Sequence, residues 1–266
     1  MADLTRLSLN TITLRPWTLS QVIEFCARHE LPAIGPWRDK IAEYGLDRTV
    51  RHIRDAGLRV SGVCRGGMFT LDGALDDNRR AIDEAAALGA DCLVLVVGGL
   101  PAGSKDLAAA RRIVADGVAA ILPHARTAGV KLALEPLHPM TCADRSVLST
   151  TGQALDIAEA AGPEVGVALD VYHIWWDPAL AASVARARGR IHAFHVCDWR
   201  VPTRDLVFDR GMMGEGAIDI PGIRAMVEAA GYGGLIEVEI MSDRDWWTRS
   251  PDEVIGAVKE RFADSV

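Results

Sequence analysis

The stretch VGVALD, residues 165–170, decides the fold class of this chain. It is short, apolar and rich in valine, which is typical of a strand buried in a parallel sheet. A helix-like stretch rich in Ala and Leu precedes it at 152–161, and the same alternation continues in both directions. Eight strand candidates follow from this alternation: 6–12, 32–35, 59–64, 92–97, 130–135, 165–170, 190–197 and 235–240.

The segments between these strand candidates predict helices, most clearly at 78–88, 107–127, 152–161 and 223–230. Cap-like residues precede several of the helices, and a glycine follows many of them before the next strand. The caps are Ser20, Asp47, Ser104, Thr151 and Ser250, and the glycines are Gly57, Gly89, Gly129, Gly162 and Gly231.

Regular β-α alternation predicts a parallel sheet covered by helices, and 266 residues are typical of one eightfold barrel. We therefore predict an α/β protein, a single (β/α)8 TIM barrel spanning residues 1–266. A doubly wound sheet is the main rival. Its dinucleotide-binding form is disfavoured because no G-x-G-x-x-G motif follows the first strand.

Composition excludes several classes of function. The net charge of -7 and the pI of about 5.5 leave no broad electrostatic reason to bind nucleic acid. Five scattered cysteines without a C-x-x-C pair favour reduced thiols and a cytoplasmic location. The N-terminus lacks a secretory pattern, and no apolar run approaches the roughly 18 residues that a membrane span requires. We therefore expect neither a nucleic acid nor a membrane as partner.

Four successive strand candidates end in a similar way: KLALEP at 131–136, VGVALD at 165–170, IHAFHVC at 191–197 and LIEVEI at 235–240. Alternate side chains of a strand point to opposite faces. One face is mostly bulky and apolar, whereas the other carries Glu135, Asp170 and His195, each two positions after an alanine. The last strand carries both Glu237 and Glu239 on that second face. Active sites of barrel enzymes form at the carboxyl ends of the strands, so these groups are expected to converge there.

Taken singly, such residues are more often a rim glutamate, a turn aspartate or a hydrogen-bonded core histidine. Their recurrence at matching strand ends favours a joint site. Three carboxylates held together would repel one another, and a divalent cation would cancel that charge. Oxygen donors with one imidazole suit Mn²⁺, Mg²⁺ or Co²⁺. We predict one divalent cation, with Mn²⁺ favoured.

At these residues the chain resembles the xylose-isomerase-like superfamily of sugar isomerases and epimerases. The matching segments are LALEP at 132–136, ALDVYH at 168–173, HAFHVCDWR at 192–200, GMMGEGAID at 211–219 and GYGGLIEVEI at 231–240. Together with the eight repeated β-α units, the resemblance covers essentially the whole chain. Its more specific parts are the D-x-x-H of Asp170 and His173 and the H-V-x-D that ends at Asp198. The resemblance implies that Glu135, Asp170, His195 and Glu239 hold the cation, with Glu237 as the alternative register.

The resemblance also implies proton transfer next to a carbonyl through a cation-stabilised ene-diolate, with Glu135 and Glu239 moving the proton. The expected substrate is a small carbohydrate or polyol ketone. Related epimerases carry an arginine about six positions after the metal-binding histidine, where this chain has Val201, and an acidic residue where it has Thr141. The residues expected to contact substrate are His173, Arg200 or Arg204 in place of the missing arginine, and the loop residues His138, Trp37, Trp175 and Arg65.

Two other activities fit parts of this pattern. A metal-dependent dehydratase of the inosose or 3-dehydroshikimate type would need the same cation and acid–base pair. A DNA-repair enzyme resembling endonuclease IV would need further histidines and a D-x-H motif, and the sequence has no D-x-H. A homo-oligomer is compatible with the sequence, and Met212-Met213 is a candidate subunit contact.

Overall fold

The structure is a computed structural model that describes residues 3–266. Within these residues the strands are β1 (Leu7–Asn10), β2 (Ala33–Gly35), β3 (Arg59–Val60), β4 (Val63–Gly67), β5 (Leu93–Val96), β6 (Leu132–Leu134), β7 (Val165–Asp170), β8 (Ile191–Val196), β9 (Asp198–Trp199), β10 (Arg210–Gly211) and β11 (Ile236–Val238). The α-helices are α1 (Leu19–Arg28), α2 (Arg38–Tyr44), α3 (Leu46–Asp55), α4 (Ala74–Leu88), α5 (Leu107–Ala128), α6 (Thr151–Ala161), α7 (Val171–Ile174), α8 (Leu180–Arg186), α9 (Ile220–Ala229) and α10 (Pro251–Ser265).

Nine of the strands form one parallel sheet in the order β3-β2-β1-β11-β8-β7-β6-β5-β4. The two ends of this sheet, β3 and β4, are halves of the same segment of chain. Ser61 and Cys64 donate backbone hydrogen bonds of 3.1 Å to Ile34 and Pro36, so the segment continues along β2 and the barrel closes. The predicted (β/α)8 barrel is therefore confirmed.

The third barrel strand differs from its prediction at 59–64. It is interrupted at residues 61–62 and then runs on to Gly67. The cause is its pairing, because its first half follows β2 and its second half follows β5, with a shift of register between Cys64 and Gly66. Such a bulge bends a strand and re-aims its side chains.

Most helix ends lie within two residues of their predicted positions. Ser250 caps α10 as predicted, whereas Thr18, Asp106 and Thr150 cap α1, α5 and α6 in place of Ser20, Ser104 and Thr151. Helix α3 has Gly45 rather than Asp47 at its N-cap position. All five glycines predicted to close helices have positive φ, a conformation that glycine adopts without steric cost.

Two separate apolar layers confirm the strand parity. Leu132, Leu134, Val167 and Phe194 belong to the large core between barrel and helices. A small inner layer consists of Cys92, Val94, Ala133, Ala168 and Ala193. Small side chains thus fill the barrel interior below the carboxyl ends of the strands, where the polar residues lie.

Three further expectations concern the rest of the chain. Met212 and Met213 are fully buried inside this chain, so the suggestion that they form a subunit contact is wrong. All five cysteines are free thiols, and Cys142 alone among them is not buried. Among the helices of residues 3–266, none combines the length and apolar composition needed to cross a membrane.

Candidate active site

Four strand ends bring their polar side chains together at one end of the barrel. Glu135 follows β6, Asp170 ends β7, His195 lies in β8 and Glu239 follows β11. One ligand atom from each of these residues lies within 4.8 Å of the others, and all four residues are buried. The ladder places Asp170 directly opposite His195. We call these four residues the ligand cluster.

His195 has no hydrogen-bond partner for either ring nitrogen, although the residue is 1% exposed. Its Nδ1 lies 3.6 Å from Glu135 Oε1 and 3.8 Å from Glu239 Oε2. Buried polar atoms are normally satisfied, so this nitrogen lacks a partner that a cation among the carboxylates would supply. The donor set of three carboxylates and one imidazole therefore fits a divalent cation.

The charge state of His195 reflects the surrounding carboxylates. Burial alone would lower its pKa, but Glu237, Glu135 and Glu239 outweigh this effect and raise the pKa to about 10. Without a cation the imidazole thus carries a proton and partly neutralises the ligand cluster. Cation binding must displace that proton.

Glu237 lies outside the ligand cluster and deeper in the barrel. Its carboxylate accepts a hydrogen bond of 2.6 Å from Asn10 Nδ2 and another from the Ser61 hydroxyl. Its Oε1 lies 3.9 Å from His195 Nε2, on the opposite side of the ring from the other carboxylates. Asn10 also donates to Glu239 Oε1 at 3.1 Å, so one amide bridges the two glutamates. The structure thus brings Glu239 into the cluster and leaves Glu237 beneath His195.

Arg210 is a site residue that sequence reasoning missed. It is 2% exposed, and its Nη1 donates to Asp170 Oδ2 at 2.8 Å and to Glu239 Oε2 at 3.1 Å. Its guanidinium also lies over the Tyr172 ring, 4.5 Å from the centroid. The resemblance pointed to Arg200 or Arg204, whereas the arginine that contacts the ligand cluster is Arg210, immediately before the GMMGEG segment.

The two carboxylates that Arg210 bridges respond differently to burial. Burial would raise the pKa of Asp170, but Arg210, His173 and His195 together hold that pKa below its ordinary value. Burial raises the pKa of Glu239 in spite of Arg210 and His195. Of these two carboxylates, Glu239 is therefore the one suited to exchange a proton near neutral pH.

Asp198, the last residue of the H-V-x-D motif, holds the loop that delivers Arg210. Its buried carboxylate accepts four backbone hydrogen bonds of 2.8–3.0 Å, from Trp199, Gly214, Gly216 and Ile218. The antiparallel pair β9–β10 places Arg210 opposite Trp199. The motif therefore acts on the site through the loop rather than as a cation ligand.

His173 faces the ligand cluster as a neutral imidazole. Burial lowers its pKa to about 4 in spite of the nearby Asp170. Its Nδ1 accepts a hydrogen bond of 3.2 Å from the His138 backbone N–H, so the ring proton lies on Nε2. That nitrogen is 3.3 Å from Arg210 Nη2, and both groups are donors. A substrate oxygen between them would accept from both.

Of the other predicted substrate contacts, Trp37 and Arg65 line a cavity of about 20 Å³ that also touches Glu135 and Glu239. Trp37 also borders a cavity of about 380 Å³ towards solvent, a size typical of small-molecule sites. Arg145 and Met241, which sequence reasoning did not single out, line both cavities.

The remaining candidates lie away from the ligand cluster. Arg200 binds Glu215 and Asp245, both at 2.6 Å, and Arg204 binds Asp209. Their charges are therefore neutralised within the loops.

The aromatic candidates His138 and Trp175 support the wall of the site. Both pack against Trp199, with ring centroids 5.3 and 5.8 Å away. His138 also positions His173 through its backbone N–H, as described above.

Comparison with known proteins agrees with the barrel fold. The family model described as xylose isomerase-like TIM barrel matches residues 21–261. The chain belongs to this family. A family member from Sinorhizobium meliloti 1021, SMc04130, has a crystal structure that covers 99% of both chains at 54% identity and a TM-score of 0.97.

Two further relatives of this xylose isomerase-like barrel carry informative descriptions. An inosose isomerase of Halalkalibacterium halodurans is 29% identical over 146 residues, which is 53% of this chain. The match spans about half of that relative's length, 50%. The crystal structure of an IolI protein with a bound zinc atom covers 98% of both chains, with 21% identity and a TM-score of 0.85. At that identity the likeness shows the fold.

Proposed function

We propose that this protein is a divalent-cation-dependent isomerase or 3-epimerase that acts on a small carbohydrate or polyol ketone. The observation that carries this proposal is the buried ligand cluster, whose four ligand atoms lie within 4.8 Å of one another beneath a cavity. The inosose isomerase and the zinc-containing IolI protein among its relatives support the proposal. Mn²⁺ is the favoured cation, with Mg²⁺ or Co²⁺ as alternatives.

The residues around the cluster suit proton transfer next to a carbonyl. When bound, a divalent cation supplies positive charge that stabilises an ene-diolate. Glu239 is suited to take up and return a proton, because burial raises its pKa towards neutrality. Glu135, from a different strand of the cluster, is the second candidate for proton transfer. His173 Nε2–H and Arg210 Nη2–H are placed to donate to one substrate oxygen.

The structure argues against the nuclease alternative. A three-metal site would need several more ligands, and in residues 3–266 the ligand cluster is the one group of metal-ligating side chains that converges. Loss of a β-hydroxyl would use the same acid–base groups as isomerisation. Dehydration is therefore a separate outcome of the experiment below.

The test is exchange of substrate C–H hydrogen with solvent. Mn²⁺-loaded protein in D₂O is incubated with inosose, D-fructose, D-fructuronate and D-fructose 6-phosphate and followed by NMR, with mass spectrometry to detect loss of water. We expect deuterium next to the carbonyl of at least one ketone, and a loss of about 100-fold or more in Glu239→Gln. Glu228→Gln, which removes a surface carboxylate from α9, is the matched control. Absence of exchange with every ketone, in protein shown to hold Mn²⁺, would refute the proposal.

A further inference from the structure

Five arginines line the cavities above the ligand cluster, and they divide into two groups. Arg15 and Arg38 bind carboxylates of helices α2 and α4, and Arg210 binds the cluster itself. Arg65 and Arg145 differ from them. Within residues 3–266 neither has a carboxylate within 4.0 Å, and neither side chain donates a hydrogen bond to a protein group.

Arg145 is held over the cavity by its backbone. Its N–H donates to the Thr141 carbonyl at 2.9 Å, and its own carbonyl accepts from Gly98 at 3.0 Å. The residue is half-buried and lines the cavity that touches Glu135 and Glu239. Burial, together with repulsion from Arg210 and Arg65, lowers the pKa of its guanidinium, although Glu135 and Glu239 oppose this effect. Its guanidinium thus lies near the ligand cluster without a directly contacting carboxylate.

Arg65 lines the same cavity. It lies in β4 and is half-buried, and its carbonyl accepts a hydrogen bond of 3.4 Å from Arg38. Arg38 itself forms ion pairs with Asp77 and Glu84. The neighbouring acidic residues are therefore already engaged, and Arg65 is left to face the cavity.

Several of the unsatisfied groups around this cavity are donors, whereas the Glu135 carboxylate on its lining belongs to the ligand cluster. Trp37 Nε1–H and Arg210 Nε–H are buried and have no acceptor. Together with the free guanidiniums of Arg65 and Arg145, they require a ligand that offers several acceptor oxygens. Neutral hydroxyl groups bring donors as well as acceptors, whereas a carboxylate or a phosphate brings acceptors and negative charge.

The charge of the loaded site leads to the same conclusion. A divalent cation on Glu135, Asp170 and Glu239, with His195 neutral and the Glu237 carboxylate beneath it, leaves two negative charges. The guanidiniums of Arg65, Arg145 and Arg210 then leave the site with one net positive charge. An anionic ligand would neutralise this excess, and a neutral sugar would not.

We propose that the substrate carries an anionic group, a carboxylate or a phosphate, that Arg65 and Arg145 bind while its carbonyl end faces the ligand cluster. This inference rests on the proposed function, because it names the substrate class for the same site. The two arginines come from the third barrel strand and from the loop between β6 and α6.

The test compares ketoses that share a carbon skeleton and differ at one end. Binding of D-fructuronate, D-fructose 6-phosphate and D-fructose to the Mn²⁺-loaded protein is measured by calorimetry. We expect one of the two anions to bind at least tenfold more tightly than D-fructose, and its identity to distinguish carboxylate from phosphate. In Arg65→Gln and in Arg145→Gln this preference should fall by about tenfold or more, as loss of a charged hydrogen bond predicts.

Arg79→Gln is the matched control, because it removes one arginine charge from the outer face of α4, where Arg79 pairs with Asp76. It should keep the full preference. Unchanged Mn²⁺ affinity and melting temperature in Arg65→Gln and Arg145→Gln would show that both variants fold and hold the cation.

Equal binding of all three ketoses by the wild-type protein, or an anion preference that survives in both variants, would overturn the inference. The D₂O exchange experiment is read separately. Exchange without an anion preference refutes this inference alone, and an anion preference without exchange refutes the proposed function alone.

Discussion

Replacement of Arg210 by methionine tests the electrostatics of the site most directly. The variant keeps an unbranched side chain but removes the guanidinium that contacts Asp170 at 2.8 Å and Glu239 at 3.1 Å. Asp170 is fully buried and Glu239 is 4% exposed, so water cannot replace the lost partner. Breaking a buried ion pair by removing one partner typically costs about 3–5 kcal/mol.

In the cation-free protein we therefore expect Arg210→Met to lower the melting temperature by roughly 6–20 °C, at about 2–4 °C per kcal/mol for a chain of this size. A bound divalent cation supplies positive charge to the same carboxylates, so the loss should be under half as large in saturating Mn²⁺. If the two losses differ by about 2 kcal/mol, linkage requires the variant to bind Mn²⁺ roughly 30-fold more tightly than wild type.

The assay is thermal unfolding of both proteins in EDTA and in Mn²⁺, with the Mn²⁺ dissociation constant from calorimetry. Arg186→Met is the matched control, because Arg186 also binds two carboxylates, Asp156 and Glu159, but is 40% exposed. Its melting temperature should change little and independently of Mn²⁺. An equal loss for Arg210→Met with and without Mn²⁺, or weaker Mn²⁺ binding, would show that Arg210 acts through packing and refute the reasoning.

Three further predictions follow from the same geometry. Glu237→Gln should weaken Mn²⁺ binding by about tenfold, as measured by calorimetry. In the wild-type protein the Glu237 carboxylate faces His195 Nε2, which leaves Nδ1 available to the cation, and the substitution removes that carboxylate. Mn²⁺ affinity should rise about tenfold per pH unit between pH 6 and 8. His195, with a pKa of about 10, must lose its proton when Mn²⁺ binds, and protons released by Glu239 make the pH dependence of the affinity steeper. Asp198→Ala should speed amide hydrogen exchange at residues 211–218 and lower stability by about 1–3 kcal/mol, because four backbone N–H groups, including the buried one of Ile218, lose their acceptor.

Each of these predictions has a result that contradicts it. Unchanged Mn²⁺ affinity in Glu237→Gln would mean that Glu237 takes part only in the packing and hydrogen bonds of the barrel interior and does not affect cation binding. An affinity independent of pH, with no proton released between buffers of different ionisation enthalpy, would mean that His195 is neutral before the cation binds. Slow exchange at 211–218 in Asp198→Ala would show that the loop is held by other contacts.

The sequence by itself determined the fold and the face on which Glu135, Asp170 and His195 lie. Both follow from local rules. Side chains alternate along a strand, and parallel strands joined by helices place their carboxyl ends at one side of a barrel. No contact distant in sequence is needed for either conclusion.

The distinction between Glu237 and Glu239 needed the tertiary structure. The two residues are two positions apart and share a face, so alternation cannot separate them. Their depth in the barrel does so, because Asn10 and Ser61 engage Glu237 below His195, whereas Glu239 reaches the level of Asp170.

Only the tertiary structure decided which arginines reach the site. Arg210 lies in the two-residue strand β10 and Arg145 in an irregular segment, so no periodicity indicates the direction of either side chain. The positions of those segments next to the site depend on long-range contacts, such as the backbone amides that bind Asp198 and the hydrogen bond between Gly98 and Arg145. The direction of a side chain in a strand follows from the strand's own geometry, whereas in a loop it depends on the residues against which the loop packs.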